Sequence, residues 1–210
     1  MVISMTKNDA ENSNQKVVLV TGSARRIGAQ TIRTLHASGT RVIVHYRSSG
    51  SEAMTLADDL NTLRPDSAQT LQGDLLEIPS LPALIEKAIN FWGRLDVLVN
   101  NASTFYPIEI GKITEKDWDV LVGSNLKAPL FLSQVAAPEL KKRKGCIVNM
   151  VDIHADRPLK NHTVYSIAKA GLVALTKSLA RELGPEVRVN AVAPGAILWP
   201  EEPLHTAQQQ

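Results

Sequence analysis

The sequence predicts an α/β fold, a doubly wound parallel sheet in a single domain. From Lys16 onward, short apolar runs rich in Val, Ile and Leu alternate with longer stretches of helical period, the pattern of a parallel sheet covered by helices on both faces. No internal repeat, low-complexity tract or Pro/Gly/Ser linker divides the body, and 210 residues with 44% hydrophobic and 21% charged content can bury one sizeable core.

The predicted strands are Lys16 to Thr21, Arg41 to Tyr46, Ala68 to Gln72, Leu95 to Asn100, Gly145 to Val151 and Val187 to Ala191. Between them, helical spacing predicts Ile27 to Ala37, Glu52 to Leu63, Leu81 to Trp92, Glu115 to Lys142 and Thr163 to Leu183. Thr114 with Asp117 three residues later reads as a capping box, and Gly39, Gly93 and Gly184 stand where helices should stop. Pro82 suits the opening turn of its helix, whereas Pro129 lies inside the long one and should bend it.

Composition excludes several classes of function. Lys plus Arg total 23 against 21 acidic residues, a formal charge of +2, which creates no field suited to nucleic acid or a membrane surface. The run from Lys141 to Lys144 falls at a helix end, where cations complement the dipole and solvate freely. Cys146 is the one cysteine and can form no internal disulfide, which fits a reducing, cytoplasmic setting. Residues 1–15 form a polar tail without a signal-peptide core, and no run of about 18 apolar residues exists to span a membrane. No metal site is expected.

Thr21-Gly22-Ser23-Ala24-Arg25-Arg26-Ile27-Gly28 leaves the first strand and opens the first helix, where free backbone N–H groups and a positive dipole end can receive a pyrophosphate. Gly22 permits the tight turn and Gly28 close packing. Arg26 stands where the dinucleotide fingerprint has its middle glycine, so the match is partial, and two glycines also suit an ordinary turn. At the end of the second strand, His45-Tyr46-Arg47-Ser48-Ser49 holds no carboxylate to bind a ribose 2′-hydroxyl. Arg47, with Ser48 and Ser49, can instead receive a 2′-phosphate, which favours NADP(H); an exposed loop arginine is the plainer reading of Arg47 alone. Gly73-Asp74-Leu75 and Asn100-Asn101-Ala102-Ser103 close the third and fourth strands at the ligand-binding carboxyl edge, as caps or as ligand contacts.

Tyr165 and Lys169 lie one helical turn apart, so both project from one face, and an ammonium beside a phenol should lower the tyrosine pKa. Asp152 ends the fifth strand thirteen residues earlier. Asn125 interrupts an apolar helix near Pro129, where it can satisfy a kinked backbone or hold a proton-relay water.

Taken in order, the glycine turn, Asn100-Asn101-Ala102, Asn125, position 152, Tyr165-x-x-x-Lys169 and Pro194-Gly195 resemble the short-chain dehydrogenase/reductase family, with its Rossmann-type sheet. Within it the chain looks most like the pteridine reductases, through Arg26, Asp152 in place of the usual serine, and Ser103-Thr104-Phe105-Tyr106-Pro107 after the double asparagine. The resemblance implies NADPH as cofactor, held by Gly22, Arg26, Ile27, Gly28, Tyr46, Arg47, Ser48, Asp74, Leu75, Asn101, Ala102, Ser103, Tyr165, Lys169, Pro194 and Gly195. It implies proton donation by Tyr165, tuning of Tyr165 by Lys169, support of the relay by Asn125, and proton supply by Asp152. Arg26, Ser103, Phe105, Asp152 and Tyr165 would meet the substrate, with Phe105 stacking a flat pterin-like ring. His154 and His162 match no role in the resemblance and read as surface or loop residues.

The expected activity is therefore NADPH-dependent reduction of a dihydropterin or folate-like ring. A carbonyl reductase and a silent NADPH-binding sensor are the alternatives. The resemblance also implies a homo-oligomer, and it implies that the chain stops before the last helix and strand of its relatives. Such a chain would at most dimerise, where a full-length one would form tetramers.

Overall fold

The computed structural model describes residues 16–195; the expected tail at 1–15 and the stretch 196–210 lie outside the described residues. Six parallel strands form one sheet: β1 (Val17–Val20), β2 (Arg41–Tyr46), β3 (Ala68–Gln72), β4 (Val97–Asn100), β5 (Cys146–Met150) and β6 (Arg188–Val192), in the order β3-β2-β1-β4-β5-β6. The chain runs outward from β1 to β3 and then returns to the other side of β1, so strand order reverses between β1 and β4. A crevice opens there at the carboxyl edge.

The helices are α1 (Arg26–Ala37), α2 (Gly50–Leu63), α3 (Leu81–Asn90), α4 (Glu115–Val122), α5 (Ala128–Arg143) and α6 (Thr163–Leu183). Period-two alternation gives the central strands two apolar faces. Val17 and Leu19 of β1 join Leu84 and Ile85 of α3 and Leu132 and Leu140 of α5, while Val18 and Val20 join Ile32 of α1 and Leu56 and Leu60 of α2. Both faces are thereby covered, as the uninterrupted apolar strands require.

The span Glu115 to Lys142, expected as one bent helix, is two helices joined by a π-wound turn at Gly123–Lys127. Pro129 explains the break. It has no N–H to give the Asn125 carbonyl four residues earlier, so the chain widens by one residue per turn and restarts with Pro129 in the first turn of α5. Thr114 and Asp117 form the expected capping box of α4, with N···O distances of 3.0 and 3.2 Å, and Pro82 opens α3.

Two buried polar links align the elements that carry the crevice. Asp96 accepts the Val17 N–H at 2.8 Å and receives the Arg94 fork at 2.8 and 2.6 Å, which locks the entry of β1 to that of β4. Asn100 donates to Asn149, which donates to Thr176, each at 2.8 Å, so β4, β5 and α6 are held in register through the core.

Candidate active site

Two cavities occupy the carboxyl edge and meet at Ser103. The first, about 240 Å³, lies over β1, β2 and β3; Gly22, Tyr46, Arg47, Ser48, Asp74 and Leu75 line it, with Ala102 and Ser103 at the far end. The second, about 610 Å³, lies over β1, β4 and β5. Its lining includes Arg26, Ile27, Asn101, Phe105, Asp152, Tyr165, Lys169, Pro194 and Gly195.

The two glycines let the turn pack tightly against the loop that leaves β4. Gly22 has φ +59°, and a side chain there would meet Ala102 Cα at 2.9 Å. Gly28 is buried: a Cβ on it would lie 2.6 Å from Ser23 Cα and 2.7 Å from Asn101 Nδ2. It therefore serves the turn by packing, and does not line either cavity. Asn101 clasps the turn, donating to the Thr21 and Gly22 carbonyls at 2.8 and 3.0 Å. Helix α1 starts without a side-chain cap or an acidic residue in its first turn, so its positive end is open to an anion. These features fit a dinucleotide, its pyrophosphate against the start of α1 and its adenosine end over β2.

Arg26 adopts φ +52°, the left-handed region that a glycine occupies freely. The chain accepts that strain to place a guanidinium-bearing side chain on the wall of the larger cavity.

In the same cavity, Tyr165 and Lys169 are 4% and 3% exposed. Tyr165 Oη donates to Asp152 Oδ2 at 2.6 Å, and Asp152 Oδ1 accepts the His154 N–H at 2.9 Å, which fixes the carboxylate. Lys169 Nζ donates to the Met150 carbonyl at 2.8 Å and stands 5.6 Å from the Tyr165 ring centroid. Burial holds the Lys169 pKa down, to about 8, although Asp152 opposes the shift. The expected lowering of the Tyr165 pKa by Lys169 is overturned. Burial, reinforced by the hydrogen bond to Asp152 and its negative charge, pushes the phenol well above its ordinary value, so it stays an O–H donor at neutral pH.

Asn125, 1% exposed within the π-wound turn, reaches the site indirectly. Its Oδ1 accepts from Ser103 Oγ at 2.7 Å while Nδ2 donates to the Thr104 and Leu121 carbonyls, each at 2.9 Å. Its side chain thus braces the 103–105 loop.

Three residues escaped the sequence reading. His45 is 2% exposed; its Nδ1 accepts the Gly22 N–H at 3.1 Å, and burial drives its pKa down to about 4, so the ring is neutral and links β2 to the glycine turn. A histidine inside an otherwise apolar parallel strand was the available signal. Arg25 also lines the smaller cavity, its guanidinium 3.6 Å from Glu52, and the Arg25-Arg26 doublet was its signal. His162, expected as a surface or loop residue with no role in the site, stacks on Phe105 with centroids 4.4 Å apart and planes at 16°. Its signal was a position three residues before Tyr165, one helical turn away.

A parallel sheet whose switch point carries a glycine turn, with a buried tyrosine and lysine and a half-buried carboxylate at the same edge, defines a dinucleotide-dependent oxidoreductase. The chain belongs to the short chain dehydrogenase family, whose model matches residues 16–202. It is 38% identical to pteridine reductase 1 of Leishmania tarentolae over an alignment of 232 positions, gaps included, that covers 92% of this chain and 80% of that protein. It is also 34% identical over 185 residues to a 3-oxoacyl-(acyl-carrier-protein) reductase of Staphylococcus aureus, covering 87% and 75%. A probable galactose dehydrogenase of Rhizobium meliloti is 33% identical over 183 residues, covering 86% and 71%.

Proposed function

We propose that this protein is an NADPH-dependent reductase of dihydropterin or folate-like rings, acting on a C=N bond. The observation that carries the reading is the 2.6 Å hydrogen bond between Tyr165 and Asp152 in a cavity that the Phe105 ring also lines. Similarity to pteridine reductase 1 supports it. Bound NADPH would supply a hydride to the ring carbon.

The chain's own residues supply the proton. Tyr165, kept as a phenol by burial and by Asp152, gives its proton to the ring nitrogen as the adjacent carbon is reduced. Lys169 offsets the charge left on the phenolic oxygen, and Asp152, which lines the open cavity, takes a proton from water and passes it to the Tyr165 oxygen along the line of their hydrogen bond. A serine hydroxyl at this position would be too weak an acid to return that proton near neutral pH. Arg47, Ser48 and Arg25 at the adenosine end suit a 2′-phosphate.

Similarity to the 3-oxoacyl reductase favours a second reading, reduction of a carbonyl by the same Tyr165 and Lys169. An anaerobic NADPH-oxidation assay against dihydropterin, dihydrofolate and an activated ketone separates the two. Dihydropterin should turn over fastest, and Asp152→Ser should lose about 10² to 10⁴-fold of that turnover while NADPH affinity holds. Near-parental pterin turnover in Asp152→Ser, or faster turnover of the ketone, overturns the proposal.

A further inference from the structure

We infer that His162 is a positioning residue for Phe105, and that this ring pair sets the site's preference for flat heteroaromatic substrates; the inference rests on the pterin reading above. Phe105 sits on a loop and is 52% exposed, so its posture depends on neighbours. On one side His162 lies against it at 4.4 Å and 16°, the offset-stacked arrangement of two flat rings. On another, Tyr165 meets it at 4.8 Å and 78°. Phe105 is therefore held parallel to one ring and nearly perpendicular to the proton donor.

The His162 ring is itself fixed. Its Nδ1 lies 2.8 Å from the Lys160 carbonyl. A carbonyl only accepts, so Nδ1 carries the hydrogen in either charge state, and the imidazole plane is set by that bond. The two segments are also stapled together. The Ile108 N–H donates to the carbonyl of Asn161 at 2.6 Å, with Asn161 in the left-handed region at φ +62°, while the Tyr106 hydroxyl, donating to Asp117 at 3.1 Å, ties the Phe105 loop to α4.

A planar ring laid against Phe105 takes its tilt, and with it a defined approach to Tyr165 Oη. An aliphatic carbonyl compound gains nothing from that tilt. His162 accordingly acts on the binding of flat rings, through Phe105, and leaves proton transfer and cofactor binding alone.

Steady-state kinetics with dihydropterin, fluorescence titration with NADPH and titration with oxidised pterin test this on the parent, His162→Ala and His162→Phe. In His162→Ala, KM for dihydropterin and Kd for oxidised pterin should rise together by about 2- to 12-fold, the strength of one aromatic pair, with kcat and NADPH affinity within about twofold. His162→Phe, which keeps a flat ring in place, should restore both. Unchanged KM and Kd in His162→Ala overturn the inference alone, as does His162→Phe failing as badly as His162→Ala, or NADPH affinity falling in parallel. A parent that binds NADPH but leaves dihydropterin unreduced overturns the proposed function and removes this inference with it.

Discussion

At the scale of single residues, the adenosine end and the glycine turn each rest on one side chain whose removal has a distinct signature. Arg47 lines the smaller cavity and forms no ion pair among the described residues. Its replacement by Ala should weaken NADPH by about 1.5 to 3 kcal/mol and leave NADH nearly unchanged, by fluorescence titration of both. Equal loss for the two cofactors would remove the 2′-phosphate assignment. His45 behaves differently because it is buried and neutral. Its pKa is about 4 in the folded chain against an ordinary 6.5, so between those values the unfolded chain binds the extra proton. The stability it confers is complete above pH 6.5 and lost as pH falls toward 4, about 3 kcal/mol in all. Urea unfolding of the parent and His45→Asn should show a gap in stability that narrows over that range. A constant gap would contradict the neutral assignment.

Among the elements, α1 is where strain and binding are coupled. Arg26 opens it in the left-handed region, so Arg26→Gly should raise the unfolding free energy by about 1 kcal/mol in a denaturant titration. Turnover should fall in the same variant, because the wall of the larger cavity loses its guanidinium. A variant that is no more stable, or equally active, would show that the conformation costs nothing or that the side chain does nothing.

The elements also show what could be read from sequence. β2, β3 and α6 have their expected bounds because apolar runs there end in polar residues or glycine that leave one place to stop. The π-wound turn escaped notice, since helical period continues across it and only the missing N–H of Pro129 marks the break. Likewise Tyr165, Lys169 and Asp152 were legible as residue types at fixed spacing, but the direction of the tyrosine shift was not. It depends on burial, which spacing does not report. The His162–Phe105 stack joins positions 57 residues apart, beyond the reach of any local pattern.

For the whole molecule, the described residues include no helix long and apolar enough to cross a membrane, yet the surface carries large apolar side chains. Trp118 on α4 is 44% exposed and Ile167 on α6 is 47% exposed, and the two helices pack against one another. We propose that this face meets a second copy of the chain, in keeping with the expected homo-oligomer. Light scattering should find a dimer that Ile167→Asp reduces to single chains. A monomeric parent would dismiss the proposal.

The reversal of strand order that opens the crevice has a kinetic side as well. Its stitches join the two ends of a long loop: Val17 to Asp96 are 79 residues apart, and Asn101 reaches back 80 residues to Thr21. Closing a loop of that length costs entropy before any contact repays it, so the Asp96 and Asn101 clasps are expected to form after the segment between them has condensed. During refolding the glycine turn should therefore acquire its ligand-ready shape late and all at once. Helical signal would precede any enhancement of NADPH fluorescence, and the crevice would be the last part of the sheet to close.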